Sequence, residues 1–325
     1  MAWFVGVDVS KAKFDVALLL PNEKFRSKVF SNDPSGFAAL LQWIAAHVPA
    51  GEVPHLCMEA TGSYHEALAC YAHDHGCTVS VVNPLLVKRF AELKRLRAKT
   101  DGADAKCLAL YCRDESPAPW QAPSAGVRAL QALVARLDTL QAMHQAESNR
   151  LEVAHESVAS SVRQVLADLD TAIAKVKAQI AETIDDDPDL KRRAELLETI
   201  PGIGERTIPQ LLAYIGAPER FKSAKALAAY ARLAPVVRQS GTSLDQRRGT
   251  HPMGHKRLKS LLYFPAMVAG TYNPLVRALW ARLKAQNKPG KVIVEACMHK
   301  LLAIAYGVLR SGKPFDPGHA RAISA

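Results

Sequence analysis

Four carboxylates in the first third of the chain have the residue type and spacing to hold divalent cations. Asp8 lies inside an otherwise apolar strand candidate, and Glu59 ends another, at the strand edge where α/β sheets commonly hold ligands. Asp101 and Asp104 are three residues apart, which places both on one face of a helix. An unpaired carboxylate buried on a central strand would cost several kcal/mol, so a positive group has to compensate Asp8. A divalent cation is the natural candidate.

Ligands that are all oxygen predict Mg²⁺, or alternatively Mn²⁺, and two such ions about 4 Å apart would stabilise the attacking and leaving oxygens of a phosphodiester. The predicted chemistry is therefore phosphoryl transfer on nucleic acid. Each carboxylate also has a purely structural interpretation. Asp8 could cap a turn, and Asp101 could stabilise the dipole of its helix. Glu59 could pair with Lys88 or Arg89.

The elements that would position these carboxylates are short strands alternating with helices. Strand candidates at 3–9, 14–20 and 24–31 are separated by only a few residues, which predicts an antiparallel meander. The elements predicted after it are a helix at 34–46, a strand at 55–58, a helix at 64–75, a strand at 78–82 and a helix from about 84 to 97. This β-β-β-α-β-α-β-α order is that of the ribonuclease-H-like fold, a mixed sheet with helices packed on it.

The centre of the chain predicts long helices. From Gly126 to Ile184 no further Gly or Pro occurs, and apolar residues recur at three-and-four spacing. This pattern indicates one long helix or a helical hairpin with a coiled-coil seam, whose function is either packing within the chain or dimerisation. We favour a partner helix, because such a helix has little core of its own to cover. The four Asp residues of the run 185–189 are interpreted as linker and helix-cap material, with Pro188 ending the helix.

The last third of the chain is helical and strongly basic. Residues 191–325 carry 23 basic and 7 acidic side chains, whereas the whole chain has a formal charge of +11. A segment with this charge attracts a polyanion, so nucleic acid is the leading partner; a solvated basic face kept for solubility is the alternative. A Gly-rich polar stretch, Gln239 to Gly254, is predicted to be a loop bounded by helices, where a substrate-contacting group would lie.

Several residues of this third are candidates for contacts to nucleic acid. Pro201-Gly202-Ile203-Gly204 precedes a predicted helix and resembles a helix-hairpin-helix loop, in which Gly202 and Gly204 would let backbone N–H groups approach a phosphate. Pro-Gly is also an ordinary helix-linking turn. Basic residues that flank the Ser240 stretch could clamp a DNA or RNA backbone: Arg247, Arg248, Lys256, Arg257 and Lys259.

Length and composition exclude several other classes. The chain has 325 residues with 49% hydrophobic and 22% charged residues, which excludes a disulfide-stapled mini-protein and a disordered chain. The longest uncharged apolar stretch, Ser260 to Val276, is too short and too rich in Pro and Gly to span a bilayer, and no secretory signal is expected. The six cysteines form no C-x-x-C pair, so neither zinc nor disulfides are expected. We expect a cytoplasmic protein associated with the nucleoid and without a membrane partner.

Three motifs in the first third carry a resemblance to a known family: Gly6-Val7-Asp8-Val9-Ser10-Lys11, Met58-Glu59-Ala60-Thr61-Gly62 and Lys99-Thr100-Asp101-Gly102-Ala103-Asp104-Ala105. They are similar to the motifs of the DEDD insertion-sequence transposases of the IS-one-ten family, regarded as bridge-RNA-guided recombinases. The likeness continues through Ile200-Pro201-Gly202-Ile203-Gly204, Leu212-Ala213-Tyr214-Ile215-Gly216, Arg238-Gln239-Ser240-Gly241 and Ala305-Tyr306-Gly307-Val308-Leu309.

The resemblance implies three regions: a RuvC-like DEDD domain over 1–120, a coiled-coil dimerisation region over 121–189 and a helical transposase domain over 190–325. It implies that Asp8, Glu59, Asp101 and Asp104 hold Mg²⁺, and that Ser240 attacks DNA to form a covalent phosphoserine link. The implied partners are donor and target DNA, a guide RNA and further copies of the chain, as a dimer and then a tetramer in the synapse.

The residues themselves leave alternatives open. A serine hydroxyl needs a base or a metal to become a good nucleophile, and Ser243 is a rival for Ser240. His251 and His255, spaced H-x₃-H, are favoured as phosphate contacts or helix caps over metal ligands. A RuvC-like nuclease or junction resolvase that uses metal-activated water is the second enzyme hypothesis. The third hypothesis is a non-catalytic nucleic-acid-binding protein whose carboxylates are structural.

Overall fold

The computed structural model describes residues 3–60, 62, 64–95, 101–240, 244–250 and 254–318; at 101, 235–240 and 244–250 it describes the backbone alone. The chain divides into two compact units, Met1–Ala122 and Pro123–Ala325. The division into three functional regions stays a prediction.

The first unit is built on a five-stranded mixed sheet of order β3-β2-β1-β4-β5. Its elements in chain order are β1 (Trp3–Val9), β2 (Lys13–Leu19), β3 (Phe25–Ser31), α1 (Pro34–Ala45), β4 (Pro54–Glu59), α2 (Glu66–Asp74), β5 (Thr78–Val82), α3 (Pro84–Leu93) and α4 (Asp101–Glu115). The first three strands are antiparallel, and β4 and β5 continue the sheet parallel to β1. The predicted order of strands and helices is confirmed, although α3 ends at Leu93 and not near residue 97.

The starts of α1 and α3 each have a side-chain cap followed by a proline, which made both helices predictable from the sequence. The side chain of Asp33 accepts from the N–H of Gly36 at 2.9 Å, and that of Asn83 accepts from the N–H of Leu85 at 2.9 Å. Each cap is followed at once by a proline, which costs nothing in the first turn because its missing N–H would have no partner there.

The sheet is covered on both faces. On one face Val7 of β1 packs with Leu40 of α1 and Leu68 of α2. On the other face Cys57 of β4 packs with Leu108 of α4, and α3 lies against α4. Each fully buried leucine contributes about 1.5–3 kcal/mol, and strand β1, buried on both faces, is the centre of the unit.

The second unit is mostly helical. Its elements are α5 (Ala125–Glu152), α6 (Glu156–Asp186), α7 (Pro188–Glu198), α8 (Ile208–Ile215), α9 (Ala224–Tyr230), β6 (Pro235–Ser240), β7 (Leu244–Thr250), α10 (Lys256–Leu261), α11 (Tyr263–Tyr272), α12 (Pro274–Ala285) and α13 (Gly290–Ser311). One hydrophobic core runs from α5 to α13. By length and composition α13 could cross a membrane, but more than half of its apolar window is buried as a core helix.

The long central helices form a hairpin. A three-residue connection joins α5 to α6, and a Cβ on Gly126 would lie 2.1 Å from Oδ2 of Asp187, so the start of α5 lies at the end of α6. The hairpin alternative is therefore confirmed, and part of the apolar stripe is covered within the chain. Asp187 caps α7 by accepting from the N–H groups of Asp189 and Leu190 at 3.0 and 3.1 Å, as predicted for the Asp-rich run.

The prediction of a loop from Gln239 to Gly254 was wrong. Residues 235–240 and 244–250 form a two-stranded antiparallel ribbon, β6 and β7. Val236 and Val237 favour an extended backbone, but β7 (LDQRRGT) has no alternation of apolar and polar residues. A ribbon paired through its backbone does not need that alternation, so its second strand left no hydrophobic signal in the sequence.

Candidate metal centre and nucleic-acid interface

Asp8 and Glu59 lie side by side at the carboxyl end of two parallel strands. Residues Val7 of β1 and Met58 of β4 are partners in the parallel register, and each carboxylate follows directly after its partner residue. Because side chains alternate along a strand, Asp8 lies on the face of Gly6, which α4 covers. The strand edge predicted from the sequence therefore holds both carboxylates.

Gly6 brings the third carboxylate to this edge. A Cβ on Gly6 would lie 1.9 Å from the carbonyl oxygen of Ala105 and 2.4 Å from the backbone nitrogen of Ala109. The backbone of α4 therefore lies directly on β1, at a distance that only glycine permits. Asp104 immediately precedes Ala105, so this contact carries it to the end of β1 where Asp8 lies. This role of Gly6 was not predicted from the sequence, in which it lies two residues before Asp8.

Three of the four carboxylates lie near enough for their charges to interact. Burial raises the pKa of Glu59, and the negative charges of Asp8 and Asp104 raise it further. Asp101 begins α4, about one helical turn before Asp104. Only the backbone of Asp101 is described. The first turn of α4 therefore carries the other two predicted ligands.

These residues fit a hard divalent cation by their chemistry. The donors are carboxylate oxygens, which Mg²⁺ and Mn²⁺ prefer, and their mutual repulsion is what a cation would relieve. Among the described side chains no three His, Cys, Asp or Glu residues are close enough to form a finished metal cluster. Since Asp101 is not among those side chains, the fit rests on the donor set and on the charge shared by Glu59, Asp8 and Asp104.

Ser240 is the last residue of β6, at the tip of the ribbon. Its backbone pairs in register with Leu244, and Ser243 and His251 lie outside the described residues. The backbones of Arg247 and Arg248 on β7 pair with the two valines of β6. The ribbon therefore holds the predicted nucleophile at one end, with two of the predicted basic residues along its second strand.

The base of this ribbon is tied by contacts that the sequence analysis missed. Arg232 donates from Nε to the carbonyl of Gly254 at 2.7 Å, and the N–H of His255 donates to the carbonyl of Tyr230 at 2.6 Å. Gly254 has φ +118°, and a Cβ there would lie 2.5 Å from the oxygen of Tyr230. The glycine before α10 was the only sequence signal for this close approach.

His255 is a helix cap, one of the two roles favoured from the sequence. Its Nδ1 accepts from the N–H of Leu258 at 3.1 Å, which places it at the start of α10. Its ring lies against Tyr214, with centroids 4.5 Å apart. Burial lowers the pKa of His255, and the charges of Arg220 and Arg257 lower it further. The neutral ring is thereby favoured, as an accepting cap requires.

The three basic residues of α10 differ in their surroundings. Lys256 is exposed and has no ion pair among the described residues. Arg257 pairs with Asp138 of α5 at 2.5 Å, and Lys259 forms an ion pair with Glu295. Of these three, only Lys256 therefore has no ion-pair partner among the described residues.

The two glycines of the predicted phosphate-binding loop also differ. Gly202 has φ +103°, and a Cβ there would lie 2.6 Å from Cβ of Ala269, so its position is required by packing against α11. Gly204 is exposed, with nothing within 4 Å of an added Cβ. Its carbonyl accepts from the N–H groups of Thr207 and Ile208. Gly204 is the better placed of the two for a contact with an external phosphate.

Comparisons with known proteins match transposase families in both parts of the chain, and the first match runs past Ala122 into the second unit. Residues 5–156 match the DEDD transposase model of the IS110 type, described as Transposase, and contain all four predicted metal ligands. Residues 194–281 match the model described as Transposase IS116/IS110/IS902 family, and contain Ser240. The matched model and the mixed-sheet fold thus place the chain among the DEDD transposases.

Relatives identify the family more narrowly. The chain is 38% identical over 315 residues to the pilin gene-inverting protein of Moraxella bovis, covering 96% of this chain and 97% of the relative. The pilin gene-inverting protein of Moraxella lacunata matches to the same extent. An uncharacterized 43.6 kDa protein of insertion element IS110 in Streptomyces coelicolor is 28% identical over 121 residues, 37% of this chain and 30% of that protein. The chain belongs to the IS110 family of insertion-sequence transposases.

Proposed function

We propose that this transposase cleaves and exchanges DNA strands through a covalent phosphoserine at Ser240, with Mg²⁺ or Mn²⁺ held by Asp8, Glu59, Asp101 and Asp104. The observation that carries the metal part is geometric: Asp8 and Glu59 follow paired residues of two parallel strands, and the close packing of α4 on Gly6 brings Asp104 to the same edge. Carboxylates gathered from β1, β4 and α4 repel one another, and a bound cation would reverse that cost. Such an enzyme acts at the DNA of the nucleoid.

In the proposed reaction the Ser240 hydroxyl loses its proton and its oxygen forms a bond to phosphorus. The bond between phosphorus and the 3′ oxygen of the neighbouring deoxyribose breaks, and that oxygen leaves as a hydroxyl after gaining a proton. Attack by a 3′-hydroxyl of another strand on the phosphoserine would then restore the serine. When bound, the cation supplies positive charge that stabilises the attacking and leaving oxygens.

The serine hypothesis is tested by variants at its two candidate residues. Ser240→Ala is expected to abolish the covalent protein–DNA adduct on a substrate whose cleaved strand cannot be rejoined, because no other hydroxyl takes its place. Ser243→Ala is the matched control and is expected to keep the adduct. Denaturing electrophoresis of labelled DNA measures both adduct and cleavage. If Ser240→Ala still cleaves the strand and forms no adduct, the enzyme is instead a nuclease or junction resolvase that uses activated water. If Ser240→Ala keeps the adduct and Ser243→Ala loses it, Ser243 is the nucleophile.

We propose further that an RNA encoded by the element guides the choice of DNA. The support is the family and the basic charge of residues 191–325, since in a guided system base pairing carries the sequence information. Sequencing the RNA that copurifies with the protein, then testing strand exchange on DNA that matches its loops, examines this proposal. Copurification of no discrete RNA would contradict guidance and leave the serine chemistry standing.

Relatives that cover nearly the whole chain are named for inverting a gene. Strand exchange between two sites on one DNA molecule inverts the segment between them when the sites face one another. We therefore include inversion among the products to be measured in the strand-exchange assay.

A further inference from the structure

Helix α11 buries its small side chains and exposes its large apolar ones, the opposite of the usual arrangement. Its buried positions are small or compact: Pro265, Ala266 and Ala269. Its large side chains face solvent, with exposed fractions of 43% for Tyr263, 73% for Phe264, 42% for Met267, 47% for Val268 and 71% for Tyr272. A helix packed on a core ordinarily buries its large apolar residues.

Close packing explains the small inner face. A Cβ on Gly202 would lie 2.6 Å from that of Ala269, and a Cβ on Gly270 would lie 2.8 Å from the ring of Trp280. Nothing in this packing requires large apolar residues on the outside, where polar side chains would serve the core equally well. A contiguous exposed apolar face of this kind is typical of a binding surface.

The charge around α11 favours an anionic partner. From Gln246 to Val294 the chain has no acidic residue and ten basic ones. Arg277, Arg282 and Lys284 on the following helix α12 are exposed, and within the described part of the chain none of them forms an ion pair. An apolar protein surface offers no anions for these cations, whereas a nucleic-acid strand offers one phosphate per nucleotide.

The exposed aromatic rings suit bases that are not paired. Phe264 and Tyr272 are eight residues apart, which at 1.5 Å per residue is about 12 Å, or roughly three to four base spacings of a strand. Tyr263 lies edge-on to Phe264, with centroids 5.4 Å apart. Bases in a duplex are stacked on each other and present no face to such rings, whereas unpaired bases stack on aromatic side chains.

We propose that the outward face of α11 is a stacking platform for unpaired nucleobases, formed by Tyr263, Phe264, Met267, Val268 and Tyr272. The strand is either DNA opened during exchange or an unpaired part of a bound RNA, and both present the same base faces and phosphates. The inference rests on the proposed function only for the source of the strand. Binding itself is measured without any cleavage.

The test compares strands with and without bases on the intact protein. Fluorescence anisotropy measures the affinity for a short oligothymidylate, for an abasic strand of the same length, for oligouridylate and for a duplex. Phe264→Leu and Tyr272→Leu keep an apolar side chain and remove the ring. Each is expected to weaken oligothymidylate binding about 10-fold and to change abasic and duplex binding less than about 2-fold. Val153→Ala, at an even more exposed apolar residue in the connection between α5 and α6, is the control.

Two readouts distinguish the outcomes. Photocrosslinking of a strand that contains iodouracil is expected to map to Phe264 or Tyr272 by mass spectrometry, and the ratio of DNA to RNA affinity identifies the strand. Equal losses for base-containing and abasic strands, or no loss at all, would overturn the proposal. So would a change in sedimentation without a change in strand binding, since the face would then join two copies of the chain. If the serine hypothesis failed because no Ser240 adduct forms, these binding measurements would still test the platform.

Discussion

The raised pKa of Glu59 links the stability of the protein to pH and to metal binding. Burial and the charges of Asp8 and Asp104 raise its pKa, so the folded protein retains a proton that the unfolded chain releases. Without metal, the free energy of unfolding should therefore fall as the pH rises from the ordinary pKa of Glu59 to its raised value. A bound cation favours the ionised carboxylate and should offset this loss.

Glu59→Gln is expected to flatten this pH dependence and to raise the melting temperature of the metal-free protein at neutral pH. It should also remove the stabilisation by Mg²⁺ and lower DNA cleavage about 100-fold or more. Calorimetry with chelator and with Mg²⁺ measures the first effects. Glu66→Gln, at an exposed position of α2, should behave as the parent protein. A Mg²⁺-dependent rise in melting temperature that survives in Glu59→Gln would contradict the metal site.

Lys256 and Arg257 are neighbours whose substitutions should separate DNA binding from stability. Asp138 is nearly buried, and it accepts from the hydroxyl of Tyr214 at 2.7 Å as well as pairing with Arg257. Arg257→Ala is expected to lower the free energy of unfolding by at most about 1 kcal/mol, because Arg257 is itself more than half exposed.

Lys256→Ala is expected to leave stability unchanged and to weaken DNA binding, with the salt dependence of binding reduced by about one phosphate contact. Anisotropy titrations at several salt concentrations and thermal melts measure both variants. Weaker binding in Arg257→Ala than in Lys256→Ala would show that the ion pair with Asp138 opens when DNA binds.

At the scale of the elements, the contact between β1 and α4 is the one on which the proposed metal site depends. Gly6→Ala is expected to lower the free energy of unfolding by about 3 kcal/mol, since the added methyl group would overlap the backbone of Ala105. Gly307→Ala, in α13 with no atom near the added group, is the matched control and should stabilise the protein by about 0.5–1 kcal/mol. Denaturant titration measures both; equal effects would show that the contact adapts freely.

The elements also show what the sequence could and could not predict. Strands β1, β2, β4 and β5 carry apolar runs because both faces of the sheet are covered there, so their positions could be predicted from the sequence. Strand β3, at the edge of the sheet, is polar and mostly exposed. Ribbon β6–β7 pairs through its backbone, and β7 is polar, so it read as a loop. For the site, residue types predicted Asp8 and Glu59, but Gly6 acts through a contact with a helix distant in sequence, which no local pattern reveals.

At the scale of the whole molecule, the hairpin of α5 and α6 bears on assembly. The end of the hairpin formed by the start of α5 and the end of α6 is covered within the chain. Elsewhere on the hairpin, Met143, Val158 and Val165 are between 42% and 51% exposed. We propose that these residues contribute to a dimer interface, which matches the predicted dimerisation by long helices.

Val158→Asp combined with Val165→Asp is expected to shift the sedimentation of the protein from dimer toward monomer and to abolish strand exchange, because a charge on each apolar contact opposes association. Val29→Asp, at an exposed apolar position of β3, is the matched control and should sediment as the parent protein. A monomeric parent protein, with or without DNA, would contradict the dimer.

The tie between Arg232 and Gly254 has a consequence for how this enzyme can vary. Because the neighbouring backbones of Tyr230 and His255 are hydrogen-bonded, the ribbon leaves the helical unit and rejoins it at a single point. We expect residues between these anchors to tolerate changes in length or sequence with little repacking of the helices. The proposed nucleophile would then be carried by an appendage of the helical unit, and new chemistry at its tip need not disturb folding.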